Sequence, residues 1–244
     1  MANYIIISAN SDIAKETANI LTNQGHKLFI TARKEEDLEL LKNKFGCEGD
    51  LLDASNFEDT EELFKKAINN LGQIDGVANF AGSVILKPAH LTSKNDYLET
   101  INANVTTAFS VVRACGKFLK KGGSIVLFSS AASMQGIANH EAIATAKGAI
   151  ISLAKSASAT YASQNLRFNV VAPGLTTTKL TQKITNNEAS LNYSKAMHAL
   201  GRIGEAKEVA NVAVFLLNTE NSFITGQTIA VDGGLSNLQP KIKA

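Results

Sequence analysis

The sequence has no tryptophan, three prolines and two cysteines among its 244 residues. Cys47 and Cys115 lie in apolar segments without the spacing of metal ligands, so we expect no disulfide and no metal site, and a reducing compartment. The chain is 45% hydrophobic and 19% charged, the balance of an ordinary globular protein, so we expect no disorder.

A large excess of charge and a long apolar run are also missing. The formal net charge is +2 and the basic residues are scattered, so we expect no nucleic-acid partner. No apolar run approaches the roughly 20 residues that cross a bilayer, so we expect no membrane partner. Met1 leads directly into an apolar segment without a basic region before it, which favours a cytoplasmic protein.

Short, β-branched apolar runs alternate with amphipathic stretches along the chain. This alternation predicts a single α/β domain over 1–240, a doubly wound, Rossmann-like parallel sheet whose ligand crevice lies at the carboxyl ends of its strands. We expect strands at 4–7, 27–31, 76–79, 124–129, 167–172 and 228–231, with a short one near Cys47. We expect helices at 12–23, 35–45, 56–71, 94–119, 141–161 and 206–217.

Two segments stand outside this alternation. Residues 175–200 are rich in threonine, asparagine and serine and weakly amphipathic, which predicts a lid over the ligand. Residues 241–244 are predicted to be a loose tail.

The first strand-to-helix turn runs from Ile7 to Ala14 through Ser8, Asn10 and Asp12. In a sheet of this kind, free N–H groups of such a turn and of the following helix bind a diphosphate. The glycines that usually permit the tight turn are missing. A purely structural role for Ser11 and Asp12 is a helix N-cap.

Six further segments follow one another in the order and spacing of a known family. They are 79–82 (Asn-Phe-Ala-Gly), Asn104 to Phe109, 128–130 (Phe-Ser-Ser), 147–149 (Lys-Gly-Ala), 169–174 with Thr178, and 224–227 with 231–234. With them the whole chain resembles the short-chain dehydrogenase/reductases. The resemblance implies an oxidoreductase that moves a hydride between NADP or NAD and a carbonyl, an alcohol or a polarised double bond of a small molecule.

The resemblance also implies a set of cofactor-binding positions. They are Ser8, Asn10, Ser11, Asp12, Ile13, Arg33, Asp50, Leu51, Asn79, Ala81, Gly82, Lys147, Pro173, Gly174 and Thr178. Ser8, Asp12 and Ala14 stand where the family has glycines, and Ile7 where it has threonine. A carboxylate at Asp12 competes with a phosphate for the helix N–H donors, so we expect weakened or altered cofactor binding.

The end of the second strand bears on the choice of cofactor. A carboxylate there binds the ribose hydroxyls of NAD, whereas an arginine pairs with the 2′-phosphate of NADP. Ala32 followed by Arg33 therefore favours NADP. The alternative is that Arg33 and Lys34 are solvated charges at the start of a helix.

At the catalytic end, Ser130 and Lys147 match the family's serine and lysine, and Asn104 matches its helix asparagine. The tyrosine position, four residues before the lysine, holds Ile143. Isoleucine transfers no proton, and the loss of a general acid costs roughly 10²–10⁴ in rate.

His140 is the candidate for a replacement proton donor on the same helix. His140 lies seven residues before Lys147, on nearly the same helix face, where the enoyl-reductase branch of the family has its tyrosine. An imidazole with a pKa of about 6.5 supplies protons at working pH. The alternatives are that His140 caps the helix or lies on the surface, that Tyr193 of the lid acts, that water is relayed by Asn104 and Lys147, or that the substrate gives the proton.

Three hypotheses remain for the function. The first is the NADP(H)-dependent oxidoreductase, the second a non-catalytic nucleotide-binding or partner-binding module on the same fold, and the third a structural subunit of a hetero-oligomer. The helices at 94–119 and 141–161 resemble the family's dimer interface and 231–234 its tetramer contact, which implies a homotetramer. The substrate does not follow from the sequence.

Overall fold

The computed structural model describes residues 1–240, and the predicted tail lies outside the described residues. The strands are Asn3–Ile7 (β1), Lys27–Ala32 (β2), Glu48–Leu51 (β3), Gly76–Asn79 (β4), Gly123–Phe128 (β5), Leu166–Pro173 (β6), Thr176–Thr177 (β7), Gly204–Glu205 (β8) and Thr228–Val231 (β9). The α-helices are Asp12–Asn23 (α1), Glu35–Phe45 (α2), Phe57–Leu71 (α3), Lys94–Ile101 (α4), Thr107–Phe118 (α5), Glu141–Tyr161 (α6), Gln182–Thr185 (α7), Glu188–Met197 (α8) and Ala206–Leu217 (α9).

Seven of these strands form one parallel sheet in the order β3-β2-β1-β4-β5-β6-β9 within residues 1–240. The chain runs outward in one direction from β1 to β3 and in the other from β4 to β9, so the order reverses between β1 and β4. In open α/β sheets the ligand crevice lies at this reversal, beyond the carboxyl ends of the strands. The predicted doubly wound fold is confirmed.

The sheet is buried on both faces because its strands are apolar at successive positions. Ile6 and Ile7 point to opposite faces and are both fully buried. Ile7 belongs to the cluster that α3, α5 and α6 cover, and Ile6 to the cluster beneath α1, α2 and α9. These two layers of helices hold the strand ends, and therefore the crevice, in fixed positions.

The helix predicted at 94–119 is interrupted. α4 ends at Ile101, the chain passes through a π-helical turn at Asn102–Thr106, and α5 begins at Thr107. Asn104 lies within this turn, and its buried side-chain amide donates to the carbonyl of Thr100 at 2.9 Å, where it competes with main-chain N–H groups for that acceptor. The wide turn places Asn104 beside the end of β4.

Residues 175–200, hereafter the lid segment, contain β7, α7 and α8. β7 pairs with β8, so the lid segment is anchored at its first residues, whereas α8 buries no side chain. Among residues 1–240, no helix is both long enough and apolar enough to cross a membrane.

Candidate functional site

A crevice, hereafter the main crevice, opens at the carboxyl ends of β1, β4, β5 and β6. It gathers residues from the first turn, the β4 turn, the β5 end, α6, the β6 end and the lid segment. Of the predicted site residues it is lined by Asn10, Ser11, Asp12, Ile13, Ala81, Gly82, Ser130, Lys147, Pro173, Gly174 and Thr178. Strand-end residues far apart in the sequence meet here because the sheet is parallel.

A second opening adjoins the main crevice beyond β2 and β3. It is lined by Arg33 and Leu51 of the predicted set, with Leu52 and Asp53. Hydrogen bonds from the hydroxyl and the N–H of Ser55 lower the pKa of Asp53, and the positive charge of Arg33 lowers it further. The carboxylate of Asp50 is turned outward to Lys66, and it also accepts the N–H of Leu51.

The first turn keeps the conformation of a glycine turn without glycine. Ser8 has φ of 58°, in the left-handed region, and its N–H donates to Oγ1 of Thr31 at 3.0 Å. A non-glycine residue held there costs about 1 kcal/mol or more. Ser11 is the N-cap of α1, and its Oγ accepts the N–H of Ala14 at 3.2 Å. Asn10 turns its amide to Asp37 of α2.

Asp12 differs from the expectation. Its carboxylate does not take the N–H groups of its own helix; Oδ2 accepts the backbone N–H of Lys179, in the lid segment, at 2.6 Å. Because Ser11 already caps α1, the carboxylate reaches across the crevice instead, and its expected competition with a phosphate stays a prediction.

Lys147 is fixed to the end of β5. Its Nζ donates to the carbonyl of Phe128 at 3.1 Å, and its own carbonyl accepts the hydroxyl of Ser129 at 2.8 Å. Burial disfavours the charged ammonium and lowers the pKa of Lys147 to about 8. A Cβ on Gly82 would stand 3.2 Å from this Nζ, so the glycine is what leaves room beside the ammonium.

Ser130 lies at the end of the same strand and lines the crevice with Lys147. Its Oγ accepts the N–H of Ala132 at 3.2 Å, which leaves its hydroxyl proton available to a ligand. Ile143 lines the crevice beside them and is 3% exposed. An apolar side chain therefore stands where the family's proton donor is expected.

Five predicted residues line neither opening, Asp50 among them. Ser8 acts through its backbone conformation, and Asn79 is buried, with Oδ1 accepting the N–H of Ala81 at 3.1 Å. Asn104 is fully buried and holds the β4 turn through the N–H and Oγ of Ser83. His140 precedes α6 with its Nδ1 2.8 Å from the carbonyl oxygen of Ala138. The expected common face holds for Ile143 and Lys147, but His140 lies outside the crevice lining.

Several lining residues were not singled out from the sequence. Phe80 and Phe128 form an aromatic pair with ring centroids 4.4 Å apart, and Leu180 and Thr181 come from the lid segment. Phe80 lies within the segment 79–82 that carries the family resemblance, but its side chain was assigned no role there. The lid residues carry no comparable signal. Together they make the crevice apolar around Ser130 and Lys147.

Comparison with known proteins agrees with this geometry. Residues 7–236 match the family model described as enoyl-(acyl carrier protein) reductase. The short-chain dehydrogenase/reductase aba4 of Botryotinia fuckeliana is 32% identical, over 92% of each chain. The 3-oxoacyl-[acyl-carrier-protein] reductase FabG of Thermotoga maritima is 31% identical, over 95% of this chain and 96% of the relative.

Two further comparisons bear on activity and cofactor. The inactive 2-(S)-hydroxypropyl-CoM dehydrogenase 2 of Xanthobacter autotrophicus is 34% identical, over 68% of this chain and 75% of that protein. The solved structure described as ElxO with NADP bound superposes with a TM-score of 0.89 at 26% identity, over 96% of this chain and 98% of the other. The chain belongs to the short-chain dehydrogenase/reductase family of NAD(P)-dependent oxidoreductases.

Proposed function

We propose that this protein uses NADP(H) to reduce a carbonyl group or a polarised double bond of a small apolar molecule, or to oxidise the corresponding alcohol. The observation that carries the proposal is the meeting of Ser130, Lys147 and Thr178 in one apolar crevice at the switch point of the sheet. The matching family model is described as an enoyl-(acyl carrier protein) reductase and one relative as a 3-oxoacyl-[acyl-carrier-protein] reductase, and both descriptions support this substrate class.

The residues present fit a dinucleotide. The backbone N–H groups of Asp12 and Ile13 at the start of α1 have no hydrogen-bond partner within residues 1–240, and such donors hold a diphosphate. Gly82 leaves space beside Lys147 for a ribose. Ile13 and Pro173 offer apolar surfaces to a planar ring. When bound, the nicotinamide ring supplies or accepts the hydride.

The positions of Ser130, Lys147 and Asn104 support one role for each in this proposal. Ser130 donates a hydrogen bond to the substrate oxygen and orients it. Lys147 binds the ribose hydroxyls with the N–H donors that Phe128 leaves free. Asn104 holds the β4 turn against α4 and α5, which keeps Gly82 in place.

The proton source is the open step of this mechanism. His140 lies outside the crevice lining, so the geometry favours a proton carried by water beside Lys147 over one from the imidazole. Ile143 is smaller than tyrosine, and water or a substrate hydroxyl takes the place of the phenol. His140→Ala is therefore expected to leave turnover unchanged; a sharp loss would restore the histidine as donor.

The test is a titration with NADPH and NADH, followed by nicotinamide fluorescence, and then turnover on a panel of carbonyl compounds and enones. We expect tighter binding of NADPH, and turnover of at least one substrate. No turnover with any member of the panel would contradict the oxidoreductase proposal.

The preference for NADP rests on Arg33, a cationic side chain in a second opening that Asp53, Asp59, Asp96 and Glu99 also line. Arg33→Ala is expected to weaken NADPH binding by about tenfold or more and to leave NADH binding unchanged. Lys34→Ala removes the same charge from the next residue and is the matched control. Equal effects of both variants would show that only the net charge matters.

A second candidate function is a nucleotide-binding module without catalysis. Ile143 in the tyrosine position favours it, and so does the similarity to a relative described as inactive. It predicts NADPH binding with no turnover on any substrate.

A further inference from the structure

The first turn of α1 is joined to the lid segment by one side chain. Oδ2 of Asp12 accepts the N–H of Lys179 at 2.6 Å, and Oδ1 lies 3.8 Å from Nζ of Lys15. Both Asp12 and Lys179 line the main crevice. A carboxylate therefore spans the mouth of the crevice from one wall to the other.

The surroundings of this carboxylate are those of an anion site. The free N–H groups of Asp12 and Ile13 and the positive end of the α1 dipole lie on one side. The N–H of Lys179 points in from the other side. A diphosphate that enters between α1 and the lid segment would use the free N–H groups of α1, would compete with Asp12 for the N–H of Lys179, and would meet the negative charge of Asp12.

We propose that Asp12 is an internal substitute for the cofactor's phosphate, which determines how tightly the crevice binds a dinucleotide and keeps the lid segment closed without one. The inference rests on the proposed function. It adds that one residue, Asp12, sets the affinity for the dinucleotide and also holds the lid segment closed. Binding of the diphosphate breaks the bond between Asp12 and Lys179 and makes the N–H of Lys179 available to the ligand.

Three variants distinguish the negative charge of Asp12 from its hydrogen bond to Lys179. Asp12→Gly removes both, and Asp12→Asn removes the charge but keeps an oxygen that accepts the N–H of Lys179. Glu16→Gln is the control, since it removes one negative charge from the next turn of α1, outside the crevice lining.

The first measurement is the dissociation constant for NADPH and for inorganic pyrophosphate, by calorimetry at fixed ionic strength. Removal of a like charge next to a bound diphosphate is expected to tighten both by at least about tenfold in Asp12→Gly and in Asp12→Asn, with less than about twofold change in Glu16→Gln. Unchanged or weaker binding in both Asp12 variants would overturn the inference.

The second measurement needs no ligand. Hydrogen exchange followed by mass spectrometry over residues 176–182 is expected to be slow in the unmodified protein and in Asp12→Asn, and at least about tenfold faster in Asp12→Gly. Equal exchange in all three proteins would show that the bond does not hold the lid segment.

The two proposals fail differently. If pyrophosphate binding tightens in the Asp12 variants while no protein binds NADPH or NADH, Asp12 still competes with a diphosphate, and it is the proposed function of the crevice that fails. If NADPH binds and turns over equally in every variant, the proposed function stands and Asp12 has no such role.

Discussion

At the scale of single residues, Ile143 decides what chemistry the crevice can perform. It is 3% exposed and stands one helical turn before Lys147. Ser130 and Lys147, to which we assign the positioning of substrate and cofactor, line the crevice beside it, and a branched alkyl side chain stands where the family's tyrosine is expected. Because Ile143 has no proton to give, catalysis by this chain requires a proton from another group or from water.

Restoring the hydroxyl tests this directly. Ile143→Tyr places a phenol four residues before Lys147 and is expected to raise the reduction rate by roughly 10²–10⁴. Ile143→Phe adds the same ring without the hydroxyl and is the control for altered packing. Equal rates for the two variants, measured by oxidation of NADPH, would show that the phenol is not the missing part.

The contribution of Lys147 to the free energy of unfolding depends on pH. Its pKa is about 8 in the folded protein and 10.5 is the ordinary value, so between these values the unfolded chain binds the extra proton. The free energy of unfolding therefore rises with pH across this window because of Lys147, and is independent of pH, as far as Lys147 is concerned, below it.

Lys147→Met should remove that dependence. The difference in unfolding free energy between the unmodified protein and this variant is expected to shift in favour of the unmodified protein from pH 8 to pH 10.5. Urea denaturation at several pH values measures it, and Lys155→Met, an exposed lysine on the same helix, is the control. If the difference in unfolding free energy does not change with pH, the lysine is not desolvated.

At the scale of helices and strands, the sequence predicted the central architecture and missed the irregular parts. The apolar strands and the amphipathic helices are predicted by their hydrophobic periodicity. The parallel sheet brings Gly82, after β4, and Ser130, after β5, next to Lys147 of α6. The π turn at Asn104 was not predicted because apolar spacing does not record where a buried amide takes a main-chain carbonyl. The bond between Asp12 and Lys179 was not predicted because the lid segment has no regular pattern.

The pairing of β2 with β3 depends on Gly49. A Cβ there would overlap the carbonyl oxygen of Ile30 and lie 2.8 Å from Cγ1 of the same residue. Because the obstacle includes backbone, the strands must separate, and Gly49→Ala is expected to lower the free energy of unfolding by about 1–3 kcal/mol.

The same variant should disturb the opening that Arg33 and Leu51 line, so NADPH affinity is expected to fall with stability. Gly136→Ala is the control, because nothing lies within 4 Å of the added methyl group. Chemical denaturation compares them, and equal stability of the two variants would be evidence against the close approach of these strands.

At the scale of the whole molecule, α4 and α5 leave apolar side chains at the surface. Leu98 and Phe109 are half-exposed, and the ring of Phe109 stacks on Phe57 with centroids 5.9 Å apart. These helices belong to the face that resembles the family's dimer interface. We propose that this face is covered by a second copy of the chain within a homotetramer.

Light scattering tests the assembly. We expect a mass of about four times the 25.9 kDa of one chain. Phe109→Glu places a charge on the proposed interface and is expected to give smaller species, whereas Leu40→Glu, on the exposed side of α2, is expected to leave the mass unchanged. A monomeric unmodified protein would contradict the proposal.

The bond between Asp12 and Lys179 also has a consequence for the order of folding. Its partners are 167 positions apart in the chain, so the contact forms only after the strands between them have assembled. Protection of the Lys179 amide from exchange is therefore expected to be among the last events of refolding. Protection of this amide would then show that folding is complete, because the bond to Asp12 requires both walls of the crevice to be in place.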